Sequence, residues 1–114
     1  MTQPTIWHNP RCSKSRETLE ILKEAGFQPA VVEYLKVAPS ADEIRETLRQ
    51  LGTAAIDLIR TGESVFKELG LANASEAECV AAMATHPVLI ERPVVFYNGK
   101  AAIGRPPKSV LGIL

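Results

Sequence analysis

Thr5-Ile6-Trp7-His8 and Ala30-Val31-Val32-Glu33-Tyr34-Leu35 are both β-prone stretches, and the segment between them carries a helical repeat. Asn9-Pro10 is a turn signal that ends the first strand. Leu19, Leu22 and Ala25 then recur at helical spacing on one face, and Gly26 stands where a helix commonly stops in the left-handed conformation. Pro29 leads into the second strand. A strand, a helix and a strand in this order favour a parallel pair joined by a right-handed crossover, which leaves few topologies for the rest of the chain.

The remainder fills that frame. Ser40 and Glu43 form a capping box, and Ile44, Leu48 and Leu51 give the stripe of an amphipathic helix that Gly52 ends. From Thr53 to Thr85 the pattern predicts several short helices, broken at Gly62, Gly70 and Asn73. A second capping box at Ser75 and Glu78 opens a helix running to about Ala84. Pro93-Val94-Val95-Phe96-Tyr97 reads as a strand, Asn98-Gly99 as a hairpin turn and Lys100–Ile103 as the returning strand. Pro106-Pro107 suits a helix start, with Val110, Leu111 and Leu114 packing it down. The expected fold class is α/β, on one mixed sheet, and 114 residues suit one domain.

Composition removes several classes of function. Thirteen basic residues balance thirteen acidic ones, so no broad electrostatic footprint for nucleic acid is present. No apolar run is long enough to span a bilayer, and Met1-Thr2-Gln3-Pro4 does not open a secretory leader, so a cytoplasmic location is expected. The two cysteines, Cys12 and Cys79, lie far apart, and His8 and His86 stand at no zinc-binding spacing, so no metal site is expected.

Cys12 stands between the first strand and the first helical turn. Unpaired N–H groups and the positive end of the helix dipole stabilise an anion there, and a thiolate is such an anion. The thiol pKa falls in such places, and it is the thiolate that attacks electrophiles. Arg11, Lys14 and Arg16 add positive charge, and His8 adds more if protonated. The polar neighbours favour an exposed, reactive cysteine over a small buried one. Cys79, beside Val80, Ala81 and Met83, reads as helix filler. Ser15 stands where a Cys-x-x-Cys would need its second cysteine, so the site can act as a one-cysteine nucleophile but not as a dithiol. Thr18 stands where a phosphatase-type loop would need its arginine.

His8-Asn9-Pro10-Arg11-Cys12-Ser13-Lys14-Ser15-Arg16 resembles the strand-to-helix loop of the glutaredoxin-coupled arsenate reductases. The resemblance continues through Leu58-Ile59-Arg60, Glu68-Leu69-Gly70-Leu71-Ala72, His86-Pro87-Val88-Leu89-Ile90-Glu91-Arg92-Pro93 and Gly104-Arg105-Pro106, in order along the whole chain. It implies a thioredoxin-like fold with β-α-β, a helical insertion at about 40–85 and β-hairpin-α, so that residues 1–114 form a single domain. It also implies a cis peptide between Arg92 and Pro93, facing the catalytic loop.

Read from the residues alone, Arg60, Arg92 and Arg105 are scattered surface charges. The resemblance matches them to the arginines that bind the oxyanion, where guanidinium forks suit paired oxygens and offset the charge of an approaching thiolate. Arg11 and Arg16 are weaker candidates. His8 either tunes the thiolate as a catalytic residue or is a strand-end histidine satisfied by backbone. The mechanism implied has the Cys12 thiolate attack arsenic in arsenate, glutathione resolve the adduct as co-substrate, and glutaredoxin remove the mixed disulfide, with no bound cofactor and a monomeric protein. The longer arsenate reductases continue past the last helix, whereas this sequence stops at Leu114; the arginines all precede that tail, so its absence need not abolish the chemistry. Two alternatives stay open. One is a glutathione-dependent oxidoreductase acting on another electrophile. The other is a regulator of the same superfamily that docks on RNA polymerase and senses oxidation through Cys-x-x-Cys, a switch that Ser15 removes.

Overall fold

The computed structural model describes residues 3–114, which divide into two compact units. The first joins the segment up to Val37 to Arg92–Leu114, and the second is Ala38–Glu91.

The first unit is built on a sheet of four strands in the order β2-β1-β3-β4, with β1 Thr5–Trp7, β2 Ala30–Val32, β3 Val94–Tyr97 and β4 Lys100–Ile103. β1 runs parallel to β2, with Ile6 opposite Val31, and antiparallel to β3, with Ile6 opposite Val95. β3 and β4 form the expected hairpin, and both turn residues have positive φ, Asn98 at 50° and Gly99 at 75°, the combination a tight two-residue hairpin turn requires. The helix between β1 and β2, α1, spans Ser13–Glu24. Its C-terminus closes as a Schellman motif: Phe27 N–H donates to the Leu22 carbonyl and Gly26 N–H to the Lys23 carbonyl, with Gly26 at φ 93°.

The helix face differs in part from the expected Leu19, Leu22 and Ala25. Ser15, Thr18 and Leu22 are the buried residues of α1, Leu19 is partly buried, and Ala25 is exposed at its C-cap. The core of this unit is Ile6, Leu22, Val95 and Val110, all fully buried, with Leu19, Ile21, Ala102, Ile113 and Leu114 packed around them. β2 is shorter than the expected Ala30–Leu35. The Glu33 carbonyl accepts from the N–H groups of both Lys36 and Val37, so the backbone turns immediately after the strand. The last helix is of the 3-10 type, Pro107–Ile113.

The second unit is helical, with α2 Ala41–Leu51, α3 Ala55–Leu58, α4 Ser64–Glu68 and α5 Glu76–Thr85, and short 3-10 turns at Leu71–Asn73 and Pro87–Leu89. Both expected capping boxes form. Ser40 Oγ accepts from Glu43 N–H at 3.1 Å while Glu43 returns the bond to Ser40 N–H at 3.0 Å, and Ser75 and Glu78 do the same at 3.1 and 2.9 Å. Ile44, Leu48, Leu58, Val80, Met83 and Leu89 are buried. Glu76 also reaches across to accept from Ala55 N–H at 2.8 Å, which caps the first turn of α3 from a distant part of the chain.

Candidate active site

The loop from His8 to Arg16 is held by its own polar groups before any packing is considered. Asn9 Oδ1 accepts from Arg11 N–H at 3.0 Å, and the Asn9 carbonyl accepts from Cys12 N–H at 3.0 Å. The Arg16 guanidinium donates back to the Pro10 carbonyl at 2.9 Å, so this arginine braces the loop. Cys12 is the N-cap of α1, with extended backbone dihedrals. Its flanking residues Arg11, Ser13 and Lys14 are exposed, yet Cys12 itself is only 9% exposed. The loop is open to water and its thiol is recessed.

Burial pushes the Cys12 thiol up, but four groups outweigh it: the backbone N–H of Ser15, the Arg92 charge, the backbone N–H of Lys14 and the Arg105 charge. The net effect holds the thiol below its ordinary range, which enlarges the thiolate fraction at neutral pH. Arg105 Nη2 lies 3.9 Å from Cys12 Sγ. Its Nε donates to the Arg92 carbonyl at 2.9 Å, which ties the two arginine-bearing segments together. Arg92 and Pro93 are joined by a cis peptide, as are Arg105 and Pro106. Cys79 is the opposite case. It is 4% exposed inside α5, and burial together with Glu76 and Glu78 raises its pKa.

His8 meets Ser15 through a 2.6 Å contact between Nδ1 and Ser15 Oγ. Ser15 Oγ also accepts from Asn9 N–H at 3.0 Å, so the serine hydroxyl joins the strand-end histidine to the loop. Burial, partly opposed by Glu33 and reinforced by Arg16 and Lys23, holds the His8 pKa below 6.5. His8 is therefore neutral at pH 7, not a source of positive charge, and its partner is a side chain. Of the residues read from the sequence, Cys12, His8, Arg92, Pro93 and Arg105 belong to the first unit and Arg60 to the second. Arg60 pairs with Glu63 at 3.4 Å, and its N–H donates to the Leu89 carbonyl beside the Ile59–Ile90 bridge.

Three residues of the site region escaped the sequence reading. In the sequence Ser15 marks only the absence of a second cysteine, Thr18 only the absence of an arginine, and Gly104 only part of a motif. The signal for the first two was present: Ser15, Thr18 and Leu22 share one helical face, so two small polar residues occupy core-facing positions. Gly104 had no local signal. Among the described residues no group of three or more His, Cys, Asp or Glu side chains is placed to hold a metal ion, and no helix is long and apolar enough to cross a membrane.

Residues 7–113 match the ArsC family. The chain belongs to that family. This ArsC chain is 51% identical over 115 residues to the uncharacterized protein YfgD of Escherichia coli strain K12, covering 98% of this chain and 97% of that one. It is 43% identical over 117 residues to the arsenate reductase of Neisseria meningitidis serogroup A, covering all of both chains. Among solved structures, the arsenate reductase from Vibrio cholerae superposes with a TM-score of 0.96 at 47% identity, covering 98% of each chain. The α/β architecture of this ArsC chain is thus the thioredoxin-like one expected from its sequence.

Proposed function

We propose that this protein is an oxidoreductase that reduces arsenate to arsenite through a covalent adduct on Cys12. The observation that carries the reading is the recessed thiol at the N-terminus of α1 with Arg105 Nη2 3.9 Å from its sulfur and the Arg92 charge beside it. One set of charges both ionises the nucleophile and offers donors to an oxyanion, and guanidinium groups stay charged at any working pH. The ArsC membership and the relatives named arsenate reductase support the choice of substrate.

In the proposed sequence the Cys12 thiolate attacks arsenic, an S–As bond forms, and one oxygen leaves as hydroxide, taking up a proton to become water. Glutathione, the co-substrate, then attacks the Cys12 sulfur as its thiolate. The S–As bond breaks with its electron pair retained on arsenic, so As(V) becomes As(III) and leaves as arsenite. The product on the protein is a Cys12–glutathione mixed disulfide, which glutaredoxin reduces by thiol–disulfide exchange. Ser15 fits this route, because the second sulfur has to come from outside the loop. Arg92 and Arg105 are the proposed oxyanion ligands. His8 acts as a positioning residue through Ser15, whose backbone N–H faces the thiolate. We place the reaction in the cytoplasm, with the protein acting as a monomer.

The test is turnover of arsenate with glutathione, glutaredoxin and an NADPH-linked recycling system. Arsenate-dependent NADPH consumption and arsenite release are expected. Absence of both, in a folded protein with a fast-alkylating Cys12, would sink the arsenate reading and leave a thiol enzyme for another electrophile.

A further inference from the structure

Gly104 follows β4 and lies opposite Pro93, one step beyond the Val94–Ile103 pair, with its N–H donating to the Pro93 carbonyl at 2.9 Å. A Cβ added at Gly104 would meet Thr18 Oγ1 at 2.6 Å, Pro93 Cγ at 2.7 Å and Pro93 Cδ at 3.2 Å. No such conflict exists at Gly26, Gly52, Gly62, Gly70, Gly99 or Gly112, where a Cβ meets nothing within 4 Å. Neither neighbour of Gly104 can yield cheaply. The proline ring is rigid. Thr18 is fully buried, β-branched, and anchored by its hydroxyl donating to the Lys14 carbonyl at 2.8 Å.

Those neighbours are the carriers of the site. Thr18 and Lys14 belong to the opening turns of α1, whose Lys14 and Ser15 N–H groups face the thiolate. Pro93 follows Arg92, and Arg105 follows Gly104. The Arg105 N–H donates to the Ile103 carbonyl at 2.9 Å, and its Nε donates to the Arg92 carbonyl at 2.9 Å. Gly104 is therefore the point where the N-terminal part of α1, the segment bearing Arg92 and the segment bearing Arg105 approach one another without a side chain between them.

We propose that Gly104 is a positioning residue of the active site, whose missing side chain sets the spacing that aims Arg92 and Arg105 at the Cys12 sulfur. It acts on the chemistry only through those neighbours. This inference rests on the oxyanion role proposed above, and it adds a residue that never touches substrate. A Cβ at this position must drive the end of β4 away from α1 or from Pro93, and Arg105 moves with it. Misplacement on the order of 1 Å can cost about a hundred-fold in rate.

The experiment compares Gly104→Ala with Gly112→Ala, the same change at an exposed glycine with open space around it. Three quantities are read: the pH midpoint of Cys12 alkylation by iodoacetamide, the protection of Cys12 from alkylation by arsenate, and kcat/KM. Gly104→Ala is expected to raise the midpoint, weaken protection and lower kcat/KM by about ten- to a hundred-fold, while Gly112→Ala changes none of them. A folded Gly104→Ala protein with a lower Tm but wild-type midpoint and protection would show a packing residue only and overturn the proposal. If Gly104→Ala does not fold, Thr18→Val decides, because it sets a bulkier methyl where Oγ1 stands against Gly104. A smaller shift in the same direction supports the proposal, and unchanged values overturn it. Should the wild-type protein fail to bind or reduce arsenate, the proposed function falls, yet the alkylation midpoint needs no substrate and still judges Gly104.

Discussion

Two cysteines in one small chain make a controlled comparison of environment. Cys12 gains backbone N–H donors and two arginine charges that outweigh its burial, whereas Cys79 has burial and two glutamates pushing the other way. Iodoacetamide should therefore label Cys12 first, with a midpoint below about 8.5, the free-thiol value. Cys12→Ser should abolish turnover, while Cys79→Ala should keep most of it. Peptide mapping across pH and a turnover assay check both halves, and a dead but folded Cys79→Ala would mean a second catalytic thiol. Arg92 tests the geometry of charge. Arg92→Lys keeps the cation but loses the planar fork. A charge-assisted hydrogen bond is worth about 1.5–3 kcal/mol, so kcat/KM should drop by about ten- to a hundred-fold with little change in Tm. Arg49→Lys, at an exposed arginine tied to Glu46 on α2, should leave kinetics unchanged. Equal kinetics in the two variants would return Arg92 to the surface charges. The lowered pKa of Cys12 was legible in part, through the local helix start; the charges that help it come from Arg92 and Arg105, not from the adjacent Arg11, Lys14 and Arg16. Arg92 and Arg105 were legible only through the motifs around them, since their meeting at Cys12 depends on strand pairing that no spacing along the chain encodes.

At the level of elements, the ends of helices were easier to read than their faces. Both capping boxes and the Gly26 and Gly52 stops follow from side chains within four residues of one another, and all appear in the structure. The buried face of α1 was harder, because hydrophobic periodicity ranks leucine above serine and threonine, and here Ser15 and Thr18 face inward with hydrogen bonds that satisfy them. β2 was overextended for a related reason: Tyr34 and Leu35 are β-prone, but the two N–H groups bonding to Glu33 turn the chain. The cap on α2 can be weighed directly. Ser40→Ala removes the acceptor for Glu43 N–H and should cost about 0.5–2 kcal/mol, read as a lower urea midpoint with unchanged Cys12 alkylation. A change in alkylation with no loss of stability would contradict the assignment of Ser40 to helix α2 alone.

For the molecule as a whole, the same shifts that poise the site make stability depend on pH. His8 titrates below its ordinary 6.5 in the folded chain, so between the two values the unfolded chain binds more protons and stability rises with pH. The contribution is complete above 6.5 and is lost as pH falls through the folded value. Cys12 has the same sign in an alkaline window: its contribution is complete above the ordinary thiol value and is lost as pH falls through the depressed one. Urea midpoints should rise through the acid window, with His8→Gln flattening that step. In the alkaline window Cys79, whose pKa is raised, contributes with the opposite sign. The Cys12 step is therefore read in a Cys79→Ala background and should vanish when Cys12→Ser is added. Steps that persist in those variants would assign the protons elsewhere. The hydroxyl of Ser15 carries a last consequence, in the currency of oxidative damage. A peroxide that reaches Cys12 makes a sulfenic acid, and no neighbouring sulfur in the loop can trap it as a disulfide before further oxidation becomes irreversible. Survival of the protein under peroxide should therefore follow the free thiol supplied around it, with inactivation reversible when glutathione is present during exposure and permanent when it is added afterwards.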